Sequence, residues 1–359
     1  MWEGHKSGSG GWYASCAGPG LRGRQSERVL AIVCPGQGAQ TPGMLAPWLE
    51  LPGTADRLAV LSEAAGLDLA AHGTTSDADT IRDTAVAQPL IVSASLLALR
   101  ALEDQLGRPI DAPLADVTAG HSVGEFAAAA AAGVFDDAGA VGLVTQRARF
   151  MAQAAAAEPT GMTAVLGGDP EEVAAVIEAA GLWPANVNGG GQTVAAGAMD
   201  ALARFAERPP TRARVVPLSV AGAFHTPFMQ PALEAFGAVA ADWPAAEPRT
   251  VLVSNADGAA YADGTQGTDV IARLVAQIAA PVRWDLCQAT LAALGVTGLL
   301  ELAPGGVLKG LARRSLPGVE TVAITSPADL PAARDLVARH ASTASERRLP
   351  SADSQESDS

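Results

Sequence analysis

The stretch "TAGHSVGEFAAAAAAGVF", from Thr118 to Phe135, constrains the fold more than any other part of the chain. The apolar run Ala115 to Ala119 reads as the end of a buried strand, and Glu125 to Ala132 holds almost nothing but strong helix formers. The link between them is short, and Gly120 and Gly124 flank Ser122 in G-x-S-x-G spacing. A strand that becomes a helix over so few residues has to turn sharply, and glycine tolerates the close approach and unusual dihedrals that such a turn needs. Two readings of Ser122 are open at this point. Its hydroxyl can be lifted out of the backbone as a nucleophile. It can equally be an ordinary N-cap, because Ser122 and Glu125 fit the capping-box pattern.

Strands and helices alternate along much of the chain. Val29 to Cys34 reads as a strand entering the loop "PGQGAQ", Val86 to Leu106 as a long helix, and Asp137 to Ala156 as another. Val251 to Ser254 and Leu299 to Leu302 read as further strands, each followed by helical sequence. This order predicts an α/β architecture with a largely parallel sheet. The middle departs from it. Strand-like runs at Thr163–Leu166, Trp183–Val187, Thr193–Ala196 and Arg214–Val220 are separated by helices at Pro170–Ala180 and Ala198–Glu207. That is the β-α-β-β-α-β order of a ferredoxin-like unit. The expected organisation is a large unit at residues 29–158 and 221–340, a small inserted unit at 159–220, and polar, disordered ends at 1–28 and 341–359.

Composition excludes several classes of function. With 359 residues, 48% of them hydrophobic, the chain has ample core for a globular protein. The longest apolar run, Ala85 to Leu99, is broken by Gln88 and Pro89, so no membrane span is expected. The first residues hold no continuous apolar segment of the kind a secretory signal needs. Cys16, Cys34 and Cys287 lie far apart and form no metal-ligand spacing, which fits a reduced cytoplasmic protein. A net charge of -14 argues against nucleic-acid binding, and an acidic protein partner would require a local basic cluster.

A serine nucleophile needs a base, and the chain has five histidines. His5 and His340 fall in or beside the polar ends, and His72 sits in a polar loop, "AAHGTTSDAD". His121 adjoins Ser122, and neighbouring side chains on a turn rarely face each other. By elimination His225, in "VAGAFHTPFM", is the best candidate, because an imidazole takes a hydroxyl proton near neutral pH. The plainer reading is a loop histidine before a helix capped by Thr226 with Pro227 in its first turn.

Five strings, "CPGQGAQ", "GHSVGEF", "QRARFM", "GAFHTPFM" and "AQIAAPVRW", occur in this order between about Val29 and Ile324. Together they resemble the malonyl-CoA:acyl carrier protein transacylases of bacterial type II fatty acid synthesis. The resemblance implies an α/β-hydrolase-like core with a ferredoxin-like insertion. It implies that Ser122 becomes malonyl-esterified and that His225 is the general base. No acidic third member is implied; a backbone carbonyl near Gln277 orients the imidazole. It implies oxyanion donation from the backbone of Gln37 and from the amide of Val123, the latter at a helix N-terminus where free N–H groups favour negative charge. Arg147 resembles the residue that pairs with the malonyl carboxylate, Met151 lies one turn beyond it, and Phe224 resembles the malonyl-type sequence. Arg149 lies about 200° further around the helix, so the two arginines cannot face one pocket.

The resemblance also implies malonyl-CoA and holo-acyl carrier protein as substrates, a ping-pong mechanism, no cofactor or metal, and a cytoplasmic monomer. Lys309, Arg313 and Arg314, on one predicted helix, are the basic cluster an acidic carrier protein would need. A serine esterase or thioesterase is the alternative, and it would place an Asp or Glu between Ser122 and the histidine in chain order. The segment "RVVPLSV" supplies none. A non-catalytic carrier-binding module would lack Ser122, His225 or Arg147, and all three are present.

Overall fold

Apolar residues at every position of Leu30–Cys34 make a strand that is buried on both faces, as expected where helices cover both sides of a parallel sheet. The computed structural model describes residues 28–109 and 112–342. Nearly all of the expected disordered ends, with His5 and Cys16, lies outside the described residues. From the amino end the elements are β1 (Leu30–Cys34), α1 (Thr54–Ala65), α2 (Leu69–Thr74), α3 (Thr84–Leu106), β2 (Val117–Gly120), α4 (Gly124–Ala131) and α5 (Asp137–Ala157). Next come β3 (Thr160–Gly167), α6 (Pro170–Ala179), β4 (Trp183–Gly189), β5 (Gln192–Ala198), α7 (Met199–Glu207) and β6 (Ala213–Pro217). Then follow α8 (Gln230–Ala240), β7 (Val251–Val253), α9 (Gly267–Ala276), β8 (Val282–Arg283) and α10 (Trp284–Ala293). The last elements are β9 (Gly298–Glu301), α11 (Val307–Ser315), β10 (Glu320–Ala323) and α12 (Leu330–His340).

The first sheet has the order β10-β9-β1-β2-β7, and every pairing in it is parallel. Alternate residues of β1 serve opposite cores. Leu30, Ile32 and Cys34 face a large cluster with α3, α4 and α5, while Ala31 and Val33 face a smaller one with α10 and α11. Helix α3 is long and apolar enough to cross a membrane, but it is mostly buried within the protein and packs against α5. Gln88 and Pro89, which interrupt its apolar run in sequence, lie inside the helix.

The second sheet runs β6-β3-β5-β4, antiparallel throughout, with the first and third strands of the segment at its centre. Helices α6 and α7 supply Val173, Ile177, Leu202 and Phe205 to a separate core with Val165 and Ala195. The insert does not complete this sheet by itself. β8, from much later in the chain, pairs in parallel with β4 through Asn186 and Val282, tying the two sheets together.

Three local expectations change. His72 lies in helix α2, not a loop, because the Asp68 side chain caps that helix by accepting from Ala71 N at 2.9 Å. β6 ends at Pro217, short of Val220, and the Leu218 amide returns to Met162 O at 3.0 Å. Ala341 and Ser342, placed in the tail on sequence, are tied down by bonds to Val337 O at 2.9 Å and Asp116 Oδ2 at 3.3 Å.

Candidate active site

The carboxyl ends of β1, β2 and β7 meet at the Ser122 turn, the edge of a parallel sheet where ligands bind. Both glycines of the motif are sterically required. A Cβ on Gly124 would stand 2.2 Å from the Cys34 carbonyl oxygen, and one on Gly120 would stand 2.0 Å from the carbonyl carbon of Gly124. The turn also forces Ser122 to φ +51°, a left-handed conformation that costs a non-glycine residue on the order of 1–3 kcal/mol. The capping-box reading fails here. Val123 is the N-cap of α4, with no side-chain cap, and Ser122 Oγ lies 2.7 Å from His225 Nε2.

His225, 4% exposed and itself at φ +60°, has Nδ1 2.8 Å from the main-chain oxygen of Gln277. That bond places the proton on Nδ1 and leaves the Nε2 lone pair for the serine hydroxyl. Burial, reinforced by the nearby charge of Arg147, pulls the imidazole down to about 3, so it is neutral at pH 7. Thr226 does not cap the following turn; its hydroxyl donates to Ala223 O at 2.6 Å. His121 turns away, as expected, with Nε2 2.8 Å from Asn188 Oδ1 and its ring edge-on to Trp284.

Arg147 is 1% exposed and points inward from α5, whereas Arg149 is exposed and donates to Ala65 O at 3.3 Å. The guanidinium donates to Gln88 Oε1 at 2.5 Å and Gln277 Oε1 at 2.7 Å, and lies 3.5 Å from Ser122 Oγ. It stands 5.8 Å from the centre of the Phe126 ring. Its Nε has no acceptor, and no carboxylate pairs with it, among the described residues. Burial pulls it down to about 9, with the charge of Glu125 opposing, so it remains a cation at neutral pH.

The remaining expected residues divide. Met151 is buried with its sulfur 3.5 Å from Gln88 Nε2, which places it beside the arginine. Gln37 lies in the turn after β1, next to Gly36, where a Cβ would approach His121 O to 2.8 Å. The Gln37 side chain reaches Arg82 O at 3.4 Å. The main-chain amides of Gln37 and Val123 have no hydrogen-bond acceptor among the described residues. Phe224 is buried in the large core beside His225, and none of the polar or ring contacts among the described residues joins it to Arg147. On α11, Arg313 and Arg314 are exposed and Lys309 is half-buried. The buried carboxylate of Glu301 accepts the Leu308 and Lys309 amides at 2.9 and 2.8 Å and anchors the start of that helix.

Sequence reasoning missed Gln88, Glu125 as a bridging group, and Asn255. Asn255 Oδ1 accepts the Ser122 amide at 2.7 Å and its Nδ2 donates to Gly120 O at 2.6 Å, clamping the turn from both sides. The available signals were a lone amide inside an apolar helix and an Asn at the end of a parallel strand, since buried polar groups require partners. Burial pushes the Glu125 carboxyl up, against the pull of the Asn255 and Gln277 donors and of Arg147.

Residues 31–323 match the acyl transferase domain family. The chain is 52% identical over 302 residues to the malonyl CoA-acyl carrier protein transacylase of Mycobacterium tuberculosis, covering 84% of this chain and 98% of the relative. It is 35% identical over 315 residues to the Escherichia coli protein of the same description, covering 86% of this chain and 99% of the relative. The crystal structure of MCAT from Mycobacterium tuberculosis superposes with a TM-score of 0.79 at 52% identity, covering 84% of this chain and 98% of that one. A malonyl-transacylase solved in complex with its type II PKS acyl-carrier protein gives a TM-score of 0.78 at 29% identity, covering 86% and 99%.

Proposed function

The chain belongs to the acyl transferase family, among its malonyl-CoA:acyl carrier protein transacylases, and from that premise we propose how its residues carry the malonyl group from malonyl-CoA to acyl carrier protein. The observation that carries the reading is the position of Arg147. A buried cation to which no carboxylate bonds among the described residues stands 3.5 Å from the Ser122 oxygen, where the free carboxylate of a malonyl group would complete it.

His225 Nε2 takes the proton of Ser122 as Oγ attacks the thioester carbonyl. The oxyanion of the tetrahedral adduct takes hydrogen bonds from the amides of Val123 and Gln37, which have no other acceptor among the described residues. Collapse expels the thiolate of coenzyme A, which leaves with the proton from His225, and the malonyl group remains as an ester on Ser122. The second half reverses these roles. The phosphopantetheine thiol of the carrier protein gives its proton to His225 and attacks the ester; Ser122 leaves and recovers the proton. The product supplies malonyl units for fatty acid or polyketide synthesis.

The same reading makes the first sheet and its helices an α/β-hydrolase-like large unit at residues 29–158 and 221–340. It makes residues 159–220 a ferredoxin-like insertion, supported by the antiparallel order β6-β3-β5-β4. The reading is tested by intact mass. The wild-type protein mixed with malonyl-CoA should gain one malonyl group, and Ser122→Ala none. Malonylation of the alanine variant would overturn the assignment of Ser122. Release of free malonate much faster than transfer to carrier protein would favour the thioesterase reading.

A further inference from the structure

Glu125 lies in the first turn of α4, three residues after the nucleophile, and is only 5% exposed. Neither of its oxygens bonds to Ser122, His225 or Arg147. Oε1 accepts the main-chain N–H of Asn255 at 2.6 Å, and Oε2 accepts from Gln277 Nε2. That Nε2 also donates to Ser122 O at 3.0 Å, which leaves Gln277 Oε1 turned toward Arg147 at 2.7 Å. Asn255, held through its own amide by Glu125, clamps Ser122 and Gly120.

We propose that Glu125 is a positioning residue for the malonyl clamp: by accepting from Gln277 and Asn255 together it fixes which end of the Gln277 amide faces Arg147. A flipped Gln277 would set its oxygen against two oxygens that now face its NH2, Glu125 Oε2 and the Ser122 carbonyl. The same flip would set its NH2 against the guanidinium donor. Three hydrogen bonds would become three repulsive contacts. Only a side chain that accepts at both ends serves both donors; glutamine at this position must turn an NH2 toward either the Asn255 amide or Gln277 Nε2. The guanidinium is therefore aimed by an acid it does not touch. This inference rests on the reading of Arg147 as the residue that holds the malonyl carboxylate.

The test compares two reactions of Ser122 in Glu125→Gln. One is acylation by malonyl-CoA, which needs the clamp. The other is phosphorylation by diisopropyl fluorophosphate, an uncharged reagent that loses fluoride to Ser122 and uses His225 and the oxyanion donors but not the clamp. Malonyl-CoA kcat/KM should fall about ten- to hundred-fold, chiefly through KM, as expected for loss of a hydrogen bond to a charged group. Phosphorylation should fall far less than malonylation, and in a Gln277→Leu background the further loss in malonylation should stay within about twofold. Equal loss of both reactions, loss of neither, or a full additional loss in the Gln277→Leu background would overturn the proposal. If Glu125→Gln does not fold, Glu125→Asp, with the same acceptors on a shorter arm, is judged by the same split. A wild-type protein that is malonylated while the variants show no split refutes this inference alone. A wild-type protein that is not malonylated at Ser122 refutes the functional reading and this inference with it.

Discussion

The Nδ1 of His225 lies 2.8 Å from the main-chain oxygen of Gln277, so a neutral amide orients this imidazole where serine hydrolases use a carboxylate. A carbonyl fixes the tautomer as well as a carboxylate does but gives the imidazolium no full counter-charge. Arg147 penalises that charge further. Water that enters such a site meets a weaker base than in a hydrolase, which suits the proposed acyl-enzyme, since that would have to wait for a thiol.

The pH dependence follows. Acylation of Ser122 by malonyl-CoA should hold its rate below the ordinary imidazole range, because His225 stays neutral down to about 3. For stability, the unfolded imidazole takes its proton near 6.5 and the folded one only near about 3. Between those values the unfolded state binds more protons, so this group's contribution to stability falls as the pH falls through that window. Thermal unfolding at stepped pH should show that decline, and His225→Gln should show less of it. A single-turnover acid limb centred at the ordinary imidazole value would contradict the assignment.

The glycines of the turn give a structural prediction. In Gly124→Ala the new methyl would meet the Cys34 carbonyl, backbone that cannot move aside, and overpacking of this kind costs about 1–3 kcal/mol or more. Gly310→Ala is the control. It lies within α11 with nothing within 4 Å of the added Cβ, and should gain about 0.5–1 kcal/mol. Denaturant midpoints measure both. An unchanged Gly124→Ala midpoint would mean that the turn is looser than its contacts require.

The legible part of the site was the part fixed by local sequence. The Ser122 turn could be read because adjacent glycines and a helix must accommodate it, and the long strands and helices because their apolar pattern repeats. The resemblance singled out Arg147, but helical pitch alone excludes one of two arginines without saying which, and it is the face of α5 that buries Arg147 and leaves Arg149 exposed. Asn255 and Gln88 were not legible as site residues. Each acts across more than 50 residues of chain, Asn255 on Ser122 and Gln88 on Arg147, and neither carries a local pattern of its own. β8 was missed for a related reason: two residues pairing with β4 leave no periodic signal.

Docking of an acidic carrier protein should draw on α11, although the chain carries a net charge of -14. Arg313 and Arg314 are exposed and follow Lys309 on the same helix, whose start is pinned by Glu301. Reversing the charge at Arg313 and Arg314 should raise KM for carrier protein, flatten its salt dependence and leave malonylation by malonyl-CoA unchanged. Transfer that ignores both substitutions would place the docking surface elsewhere.

The choice of malonyl over acetyl should rest on Arg147. Its guanidinium is buried, charged, braced by two glutamines and adjacent to Ser122. An acetyl group leaves that cation without an anion, whereas a malonyl carboxylate supplies one. Truncating one partner of a buried, hydrogen-bonded charge pair costs about 2–5 kcal/mol, or roughly thirty-fold to a few thousand-fold in rate constant ratio. Arg147→Ala should therefore lose malonyl transfer to that extent and gain relative activity toward acetyl-CoA, while Ser122 stays reactive. Arg149→Ala should change neither, because that side chain faces Ala65 on the outer surface. Transfer rates from malonyl-, methylmalonyl- and acetyl-CoA in the two variants decide the matter. An unchanged malonyl-to-acetyl ratio in Arg147→Ala would leave the carboxylate to another residue.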